Sequence, residues 1–240
     1  MKPTGLMLLA AMIGCVSGQG WAREPNPNVP EGYRVLYSQD FESKDALKDF
    51  EFSDPTQWKL KKRNGNTALE FGGKCSYKPP VRSPRIIGLI GGQEFGSFVL
   101  EADLLQTGRE YGHRDMCLFF GLTDPGKFYY VHIATKTDNH AHNIFIVKDS
   151  PRTKISTKTT QGVDWGKEQW HRIRLERDVD KGTIKVFYDD MSQPIMLAED
   201  KSFPLGFIGF GSFDDTGMID NIRIWGKKAE KTDRGFFVKK

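Results

Sequence analysis

The sequence predicts an all-β protein whose antiparallel strands form two sheets packed face to face, and three observations carry that expectation. Short segments alternate apolar and polar residues with period two. Turn-forming pairs such as Asn64-Gly65, Gly91-Gly92, Lys181-Gly182 and Thr216-Gly217 stand between them. Only one stretch, Lys44 to Phe50, has helical spacing, and it is brief. The strands are too many for one open sheet, whereas a sandwich accommodates them.

Each element follows from its flanks. Tyr33 to Phe41 opens the fold after a Pro/Asn-rich linker. Trp58 to Lys62 and Ala68 to Phe71 flank Asn64-Gly65, a hairpin signal. Ser97 to Gln106 follows Gly91-Gly92, and His113 to Leu122 turns through Asp124-Pro125-Gly126 into Phe128 to Thr135. His142 to Lys148 comes next. Gln169 to Asp178 and Thr183 to Tyr188 share the Lys181-Gly182 turn. Met191-Ser192-Gln193-Pro194 leads into Ile195 to Ala198, and Thr216-Gly217 joins Phe207 to Phe213 with Met218 to Trp225.

The chain has 240 residues and 38% hydrophobic content, enough for a packed core. No 18-residue apolar run follows the N-terminus, which excludes a membrane-spanning helix after it. Residues 1–22 read as an export signal: Lys2, the apolar stretch Leu6 to Ile13, and the small residues Gly20 and Ala22. Met12-Ile13-Gly14-Cys15 also loosely matches a bacterial lipobox, and only a lipidated Cys15 would bring the protein to a membrane. Both alternatives place the folded part outside the cytoplasm, secreted or in the periplasm or cell envelope. A linker over 23–32, a sandwich over 33–226 and a basic tail over 227–240 complete the expected organisation.

The formal net charge of +4 belongs to that tail. Lys227, Lys228, Lys231, Arg234, Lys239 and Lys240 oppose only Glu230 and Asp233 there, in a segment expected to be mobile. The globular part is near neutral, so nucleic acid is not an expected partner. After signal removal Cys75 and Cys117 remain, either paired in an oxidising compartment or kept as two buried thiols. Neither a CxxC pair nor a Cys/His spacing for structural zinc occurs.

Several segments together resemble a known superfamily. Trp170-His171-Arg-Ile-Arg-Leu-Glu-Arg, the turn Asp180-Lys181-Gly182, Ile184 to Asp190, Gly206-Phe-Ile-Gly-Phe-Gly and Met218-Ile-Asp-Asn-Ile-Arg-Ile look like the second half of a concanavalin A-like jelly roll of the laminin-G-like type. Tyr37-Ser-Gln-Asp-Phe-Glu42 followed by Trp58 resembles the first strand of bacterial members, including 3-keto-disaccharide hydrolase-type domains. The resemblance covers nearly the whole chain after the signal. It implies a jelly-roll β-sandwich with one concave sheet that holds a polysaccharide or oligosaccharide.

Four of the five histidines cluster in one region, in His113-Arg114-Asp115, Tyr129-Tyr130-Val131-His132 and His140-Ala141-His142-Asn143. Met116, Leu118 and Phe120 mark a core face, which puts His113, Asp115 and Cys117 on the other side. Val131 and Ile133 likewise put Phe128, Tyr130 and His132 there. Pairing through the Asp124-Pro125-Gly126 turn sets Cys117 opposite His132 and Phe119 opposite Tyr130. The third strand stays open, because parity does not decide between His142 and Asn143.

Two chemistries suit such a cleft. Hydrolysis takes two carboxylates, and here Asp115 is the best candidate, without the Glu-x-Asp-x-x-Glu strand of the superfamily's glucanases. Elimination from a uronic acid takes a proton-transferring Tyr or His with Arg, Asn or His beside the substrate carboxylate. On the catalytic reading His132, Tyr130, His113, Asp115 and Arg114 form the catalytic set, with His142, Asn143, Arg152 and Phe128 for substrate; on the other, the aromatic and histidine side chains form a sugar-stacking platform or fill the space between sheet and loop. Val131-His132-Ile133 is similar to the Gln-Ile-His strand of alginate-lyase-type jelly rolls, although their late tyrosine-rich strand is missing. The expected function is glycan binding, with lyase-like or hydrolase-like cleavage open; the alternative is a non-catalytic interaction or adhesion module of the cell envelope. His171 shares parity with Ile173 and reads as a hydrogen-bonded buried residue, and Asp189 and Asp190 read as turn caps. Asp40 and Glu42 on the first strand and Asp220 on the last, with Asp214-Asp215 nearby in sequence, are either oxygen donors for a structural Ca²⁺, since those strands commonly neighbour each other in the superfamily, or acids that cap turns and face solvent.

Overall fold

The structure is a computed structural model that describes residues 28–237. The expected export signal, the Cys15 alternative and the first part of the linker lie outside the described residues. In chain order the strands are Arg34–Gln39 (β1), Phe50–Phe52 (β2), Trp58–Arg63 (β3), Asn66–Phe71 (β4), Ile86–Ile90 (β5), Gln93–Phe95 (β6), Phe98–Gln106 (β7), Asp115–Asp124 (β8) and Lys127–Ala134 (β9). They continue as Asn143–Lys148 (β10), Thr153–Lys154 (β11), Ser156–Thr159 (β12), Trp170–Asp178 (β13), Thr183–Tyr188 (β14), Met196–Glu199 (β15), Phe207–Ser212 (β16), Gly217–Gly226 (β17) and Ala229–Lys231 (β18).

Two antiparallel sheets face each other. One has nine strands in the order β12-β15-β14-β13-β7-β17-β4-β3, with β1 also paired to β17; the other has seven, β11-β10-β9-β8-β16-β5-β2. A short ribbon joins β18 to β6. Between the sheets lies the main core, including Leu69, Phe71, Leu100, Leu104, Leu118, Phe120, Val131, Ile173, Leu175, Phe210 and Ile224. Strand β16 runs so close to β5 that a side chain at Gly211 would collide with the Ile86 carbonyl. One at Gly209 would meet the Gly88 carbonyl of β5 in the same way and one at Gly206 the Gly121–Leu122 backbone of β8, which together account for the Gly-x-x-Gly-x-Gly run.

The twelve expected strands are all present with ends shifted by a few residues, and Lys44 to Phe50 holds a 3₁₀ turn over Ala46–Asp49. Strand β5 shows why others escape notice. Ile86 and Ile90 face the main core while Ile87 and Leu89 enter a second apolar cluster, so both faces are buried and no alternation is visible.

That second cluster is the unexpected part. It covers the outer face of the seven-stranded sheet: Ile87, Leu89, Cys117, Phe119, Leu122, Phe128, Tyr130, Phe145, Val147 and Phe207, roofed by Tyr77, Val81, Phe213, Phe236 and Phe237. The roof comes from the β4–β5 segment, the residue after β16 and the C-terminal stretch. Charge alone places residues 229–237 in a mobile tail, yet β18 pairs with β6 and the chain then lies across the sheet. Arg234 sits over the Phe207 ring and donates to the Thr123 carbonyl at 2.8 Å, and the Phe236 N–H donates to Glu51 at 2.7 Å. Two phenylalanines that water would otherwise surround explain the docking. Cys75 and Cys117 are unpaired: Cys117 is buried in the second cluster, and the Cys75 thiol donates to the Arg85 carbonyl at 3.2 Å.

Candidate functional site

The β8–β9 hairpin has the expected register, with Cys117 opposite His132 and Phe119 opposite Tyr130. Strand β10 resolves the open parity by setting Asn143 opposite His132 and Phe145 opposite Tyr130. Asn143 therefore joins the outer face. His142 precedes it with φ +51°, and its ring leaves the sheet toward Thr160.

Buried polar groups gather around Asp115. Its carboxylate accepts from the Ser212 hydroxyl at 2.9 Å and from the Cys117 thiol at 3.1 Å, and His132 Nε2 lies 3.5 Å away. The Asp115 N–H donates to Asp215 at 2.9 Å, and Tyr111 Oη donates to the same oxygen at 2.8 Å. Burial first, and then the Asp215 charge, holds the Asp115 carboxyl well above the usual carboxylate range.

Two histidines are fixed as neutral bases. His132 Nδ1 accepts from the His142 N–H at 3.2 Å, so its proton sits on Nε2, facing Asp115. His142 Nδ1 accepts from the Ala134 N–H at 3.2 Å and its Nε2 meets Thr160 Oγ1 at 2.9 Å. Burial pushes His132 down to about 3 and His142 down to about 4.

The remaining candidates do not converge on one open groove. Tyr130 is 0% exposed with its hydroxyl unpartnered, His132 is 3% and Asp115 1% exposed. Phe128 is buried in the apolar cluster. Arg114 turns inward, donating to Gln106 and to the Gly166 carbonyl at 3.0 Å. Asn143 Nδ2 donates to the carbonyls of Asp138 and Ala141, both at 2.8 Å. Arg152 lies across Phe213 and Phe145, at 4.7 and 5.7 Å from the ring centres. Only His113 stands open: its side chain is 49% exposed and its Nε2 is 2.6 Å from Asp138. Arg109, stacked 5.2 Å over Tyr111, belongs to the neighbouring loop.

Sequence reasoning overlooks Ser212, Asp215, Phe145 and Phe213, which complete this cluster. An apolar doublet, Phe236-Phe237, inside a charged tail and an acid-free stretch over 72–85 were the available signals. His171 is as expected, buried between Asp189 Oδ2 at 2.8 Å and the Trp165 carbonyl at 3.2 Å. Asp190 caps its turn through Ser192.

No family model matches the sequence, and no curated protein matches it. Solved structures do match. The carbohydrate-binding module CBM66 from Bacillus subtilis is 14% identical, over 74% of this chain and 96% of that one, with a TM-score of 0.52. A Bacillus subtilis protein of galectin-like fold is 13% identical, over 83% and 100%, at 0.53. Lectin I-B4 from Griffonia simplicifolia is 13% identical, over 81% and 99%, at 0.51. The fold is the concanavalin A-like jelly roll.

Within this jelly roll two places qualify for a metal. Ligand atoms of Asp115, Cys117 and His132 lie within 4.8 Å of one another. The set does not fit an ion: Nε2 carries the His132 proton, and moving it to Nδ1 would set two N–H groups against each other at 3.2 Å. The Ca²⁺ candidates divide. Asp40 is exposed and accepts the Glu42 N–H in its own turn at 3.3 Å. Asp220 is buried, accepts from Asn66 and the Asn221 N–H, and pairs with no cation among the described residues. Burial first, then the charges of Asp103 and Glu42, pushes its carboxyl up to about 7. Glu42 is exposed, and its carboxylate accepts from the Thr67 N–H at 2.7 Å and from the Thr67 hydroxyl at 3.2 Å.

Proposed function

We propose that this protein binds glycans and does not cleave them. The observation that carries the reading is the roof over the seven-stranded sheet. It buries Tyr130, His132 and Asp115, and a general acid or base must come within hydrogen-bond reach of the bond it breaks. Both histidines there have their free lone pair occupied by a backbone N–H, so neither can take a substrate proton. Support for glycans comes from the fold shared with a carbohydrate-binding module and a lectin. The exposed margin of the roofed face adds polar and aromatic groups suited to sugar hydroxyls, in His113 with Asp138 and Tyr111 with Arg109.

The reading includes export, through the signal expected in residues 1–22, to the periplasm or beyond. It also includes a structural Ca²⁺ held by Glu42 and Asp220, where the ion would neutralise two acids and tie the end of β1 to β17. A glycan panel read by calorimetry tests the main claim, run beside assays for reducing sugar and for unsaturated uronate ends. Binding without product is expected. Product in either assay overturns the non-catalytic reading, and a silent panel overturns glycan recognition in favour of a protein-interaction module.

A further inference from the structure

The globular part is close to neutral, yet its cations are not evenly spread. Residues 72–85 carry Lys74, Lys78, Arg82 and Arg85 and no acid, and all four are exposed. Among the described residues none of them, nor Arg152, forms an ion pair with a carboxylate. This segment is also the part of the roof that supplies Tyr77 and Val81.

Beneath it are donors lacking acceptors. Arg152 Nε is buried without a hydrogen-bond partner among the described residues, and its guanidinium lies over the Phe213 and Phe145 rings. The Tyr130 hydroxyl is buried and unpartnered as well. Arg82 follows Val81 of the roof, and Arg152 lies across Phe213, another roof residue. A buried donor without an acceptor is costly, and most such groups in native proteins have a partner. The exposed cations of the roof and the Arg152 guanidinium lack the same thing, an anionic acceptor.

We propose that this basic roof binds an acidic glycan, with a uronate carboxylate taken by Arg152 and Arg82. The inference rests on the glycan-binding reading and names its ligand class. A planar guanidinium matches a planar carboxylate through two parallel N–H···O bonds. Arg152, free of any competing acid among the described residues, can turn its edge to the sugar. Lys74 and Lys78 extend the surface along a polymer, whose binding weakens with salt.

The test uses the full chain and short oligogalacturonates, with their methyl esters as neutral counterparts and dextran sulfate as a sulfated control. Expected are binding of the acid form, at least tenfold weaker binding of the ester, and a tenfold loss with Arg152→Gln. Arg82→Gln alters an exposed side chain, leaves folding intact and weakens binding severalfold. Arg152→Lys retains charge without the fork and recovers part of the loss. Equal binding of acid and ester leaves glycan recognition standing and overturns the uronate assignment, as does acid binding unchanged by both Gln variants. Dextran sulfate binding as tightly as oligogalacturonate, with the same variant losses, also overturns it in favour of a general anion surface. No binding to any of these and to the wider panel overturns both readings.

Discussion

The two outer faces of this sandwich arise from the same alternation and end in opposite ways. On the nine-stranded sheet the outward residues are charges in a ladder. Glu70 meets Lys59 at 3.0 Å and also Lys61, Arg172 meets Asp103 at 2.9 Å, and Arg174 spans Glu101 at 3.1 Å and Glu176 at 2.8 Å. On the seven-stranded sheet they are Phe119, Phe128, Tyr130, Phe145, Val147 and Phe207. A charged face can remain in water, whereas a sheet of aromatics needs another layer over it. Parity shows which residues point outward; their chemistry shows whether outward means solvent.

The largest effect expected from this contrast is at Phe119, outside the sandwich core yet buried in the second cluster. Phe119→Ala should cost about 3–5 kcal/mol in denaturant unfolding, the cost of a true core truncation. A loss below about 1 kcal/mol would mean that the roof does not close over the face.

Next comes acid lability. The His132 pKa falls from 6.5 to about 3 on folding, so below pH 6.5 the unfolded chain takes a proton that the folded one refuses. Stability is lost as pH falls through that window, by about 3 kcal/mol at pH 4 from this group. Asp115 and Asp220, with raised pKa values, act in the opposite direction, so the clean readout is a difference between variants. His132→Gln should be destabilised at pH 7, and its gap to the wild type should narrow by about that amount at pH 4. A gap independent of pH would show that His132 is accessible to protons in the native state.

How much of this was legible in the sequence follows from the same contrast. The β8–β9 register was readable because Met116, Leu118, Phe120, Val131 and Ile133 mark one face without ambiguity. Strand β10 was not, because Ile144 and Phe145 are both buried, one in each apolar cluster, and parity loses its meaning when both faces are dry. The register of that face was legible, but whether it is an open groove or filled space under a loop was not. A row of polar and aromatic side chains on an outer face looks the same in sequence whether a ligand or the chain's own segment covers it. The cover is distant in sequence, residues 72–85 and 232–237, and nothing local announces a third layer.

A smaller effect belongs to Asp220, a buried acid on the nine-stranded sheet. Its folded pKa, about 7, exceeds the unfolded 3.8, so the folded state holds the proton longer and stability falls as pH rises from about 4 through 7. Asp220→Asn should therefore be the more stable protein at pH 8, by about 1–2 kcal/mol once solvent screening is allowed for, and no more stable at pH 4. Millimolar Ca²⁺ should raise the wild-type melting temperature more at pH 8 than at pH 5 and leave Asp220→Asn unmoved. A Ca²⁺ shift of equal size in that variant would remove Asp220 from the site.

The smallest effect is expected at Lys61, and its smallness is what the comparison requires. Lys61 pairs with Glu70 across β3 and β4, and its side chain is about half exposed. Glu70 keeps Lys59 at 3.0 Å when Lys61 is gone, so its charge is not stranded. A partly exposed pair whose acid keeps a second lysine contributes roughly 0.2–1 kcal/mol, and Met retains the aliphatic stem of the lysine. Lys61→Met should then change stability by less than about 0.5 kcal/mol. The converse substitution on the roofed face, Val147→Lys, places an ammonium in the apolar cluster of Phe128, Phe145 and their neighbours. It should cost several kcal/mol or displace the roof, which increased binding of a hydrophobic dye would report. Equal costs for the two changes would mean that both faces are wet, and the division into an open charged face and a covered apolar one would fail.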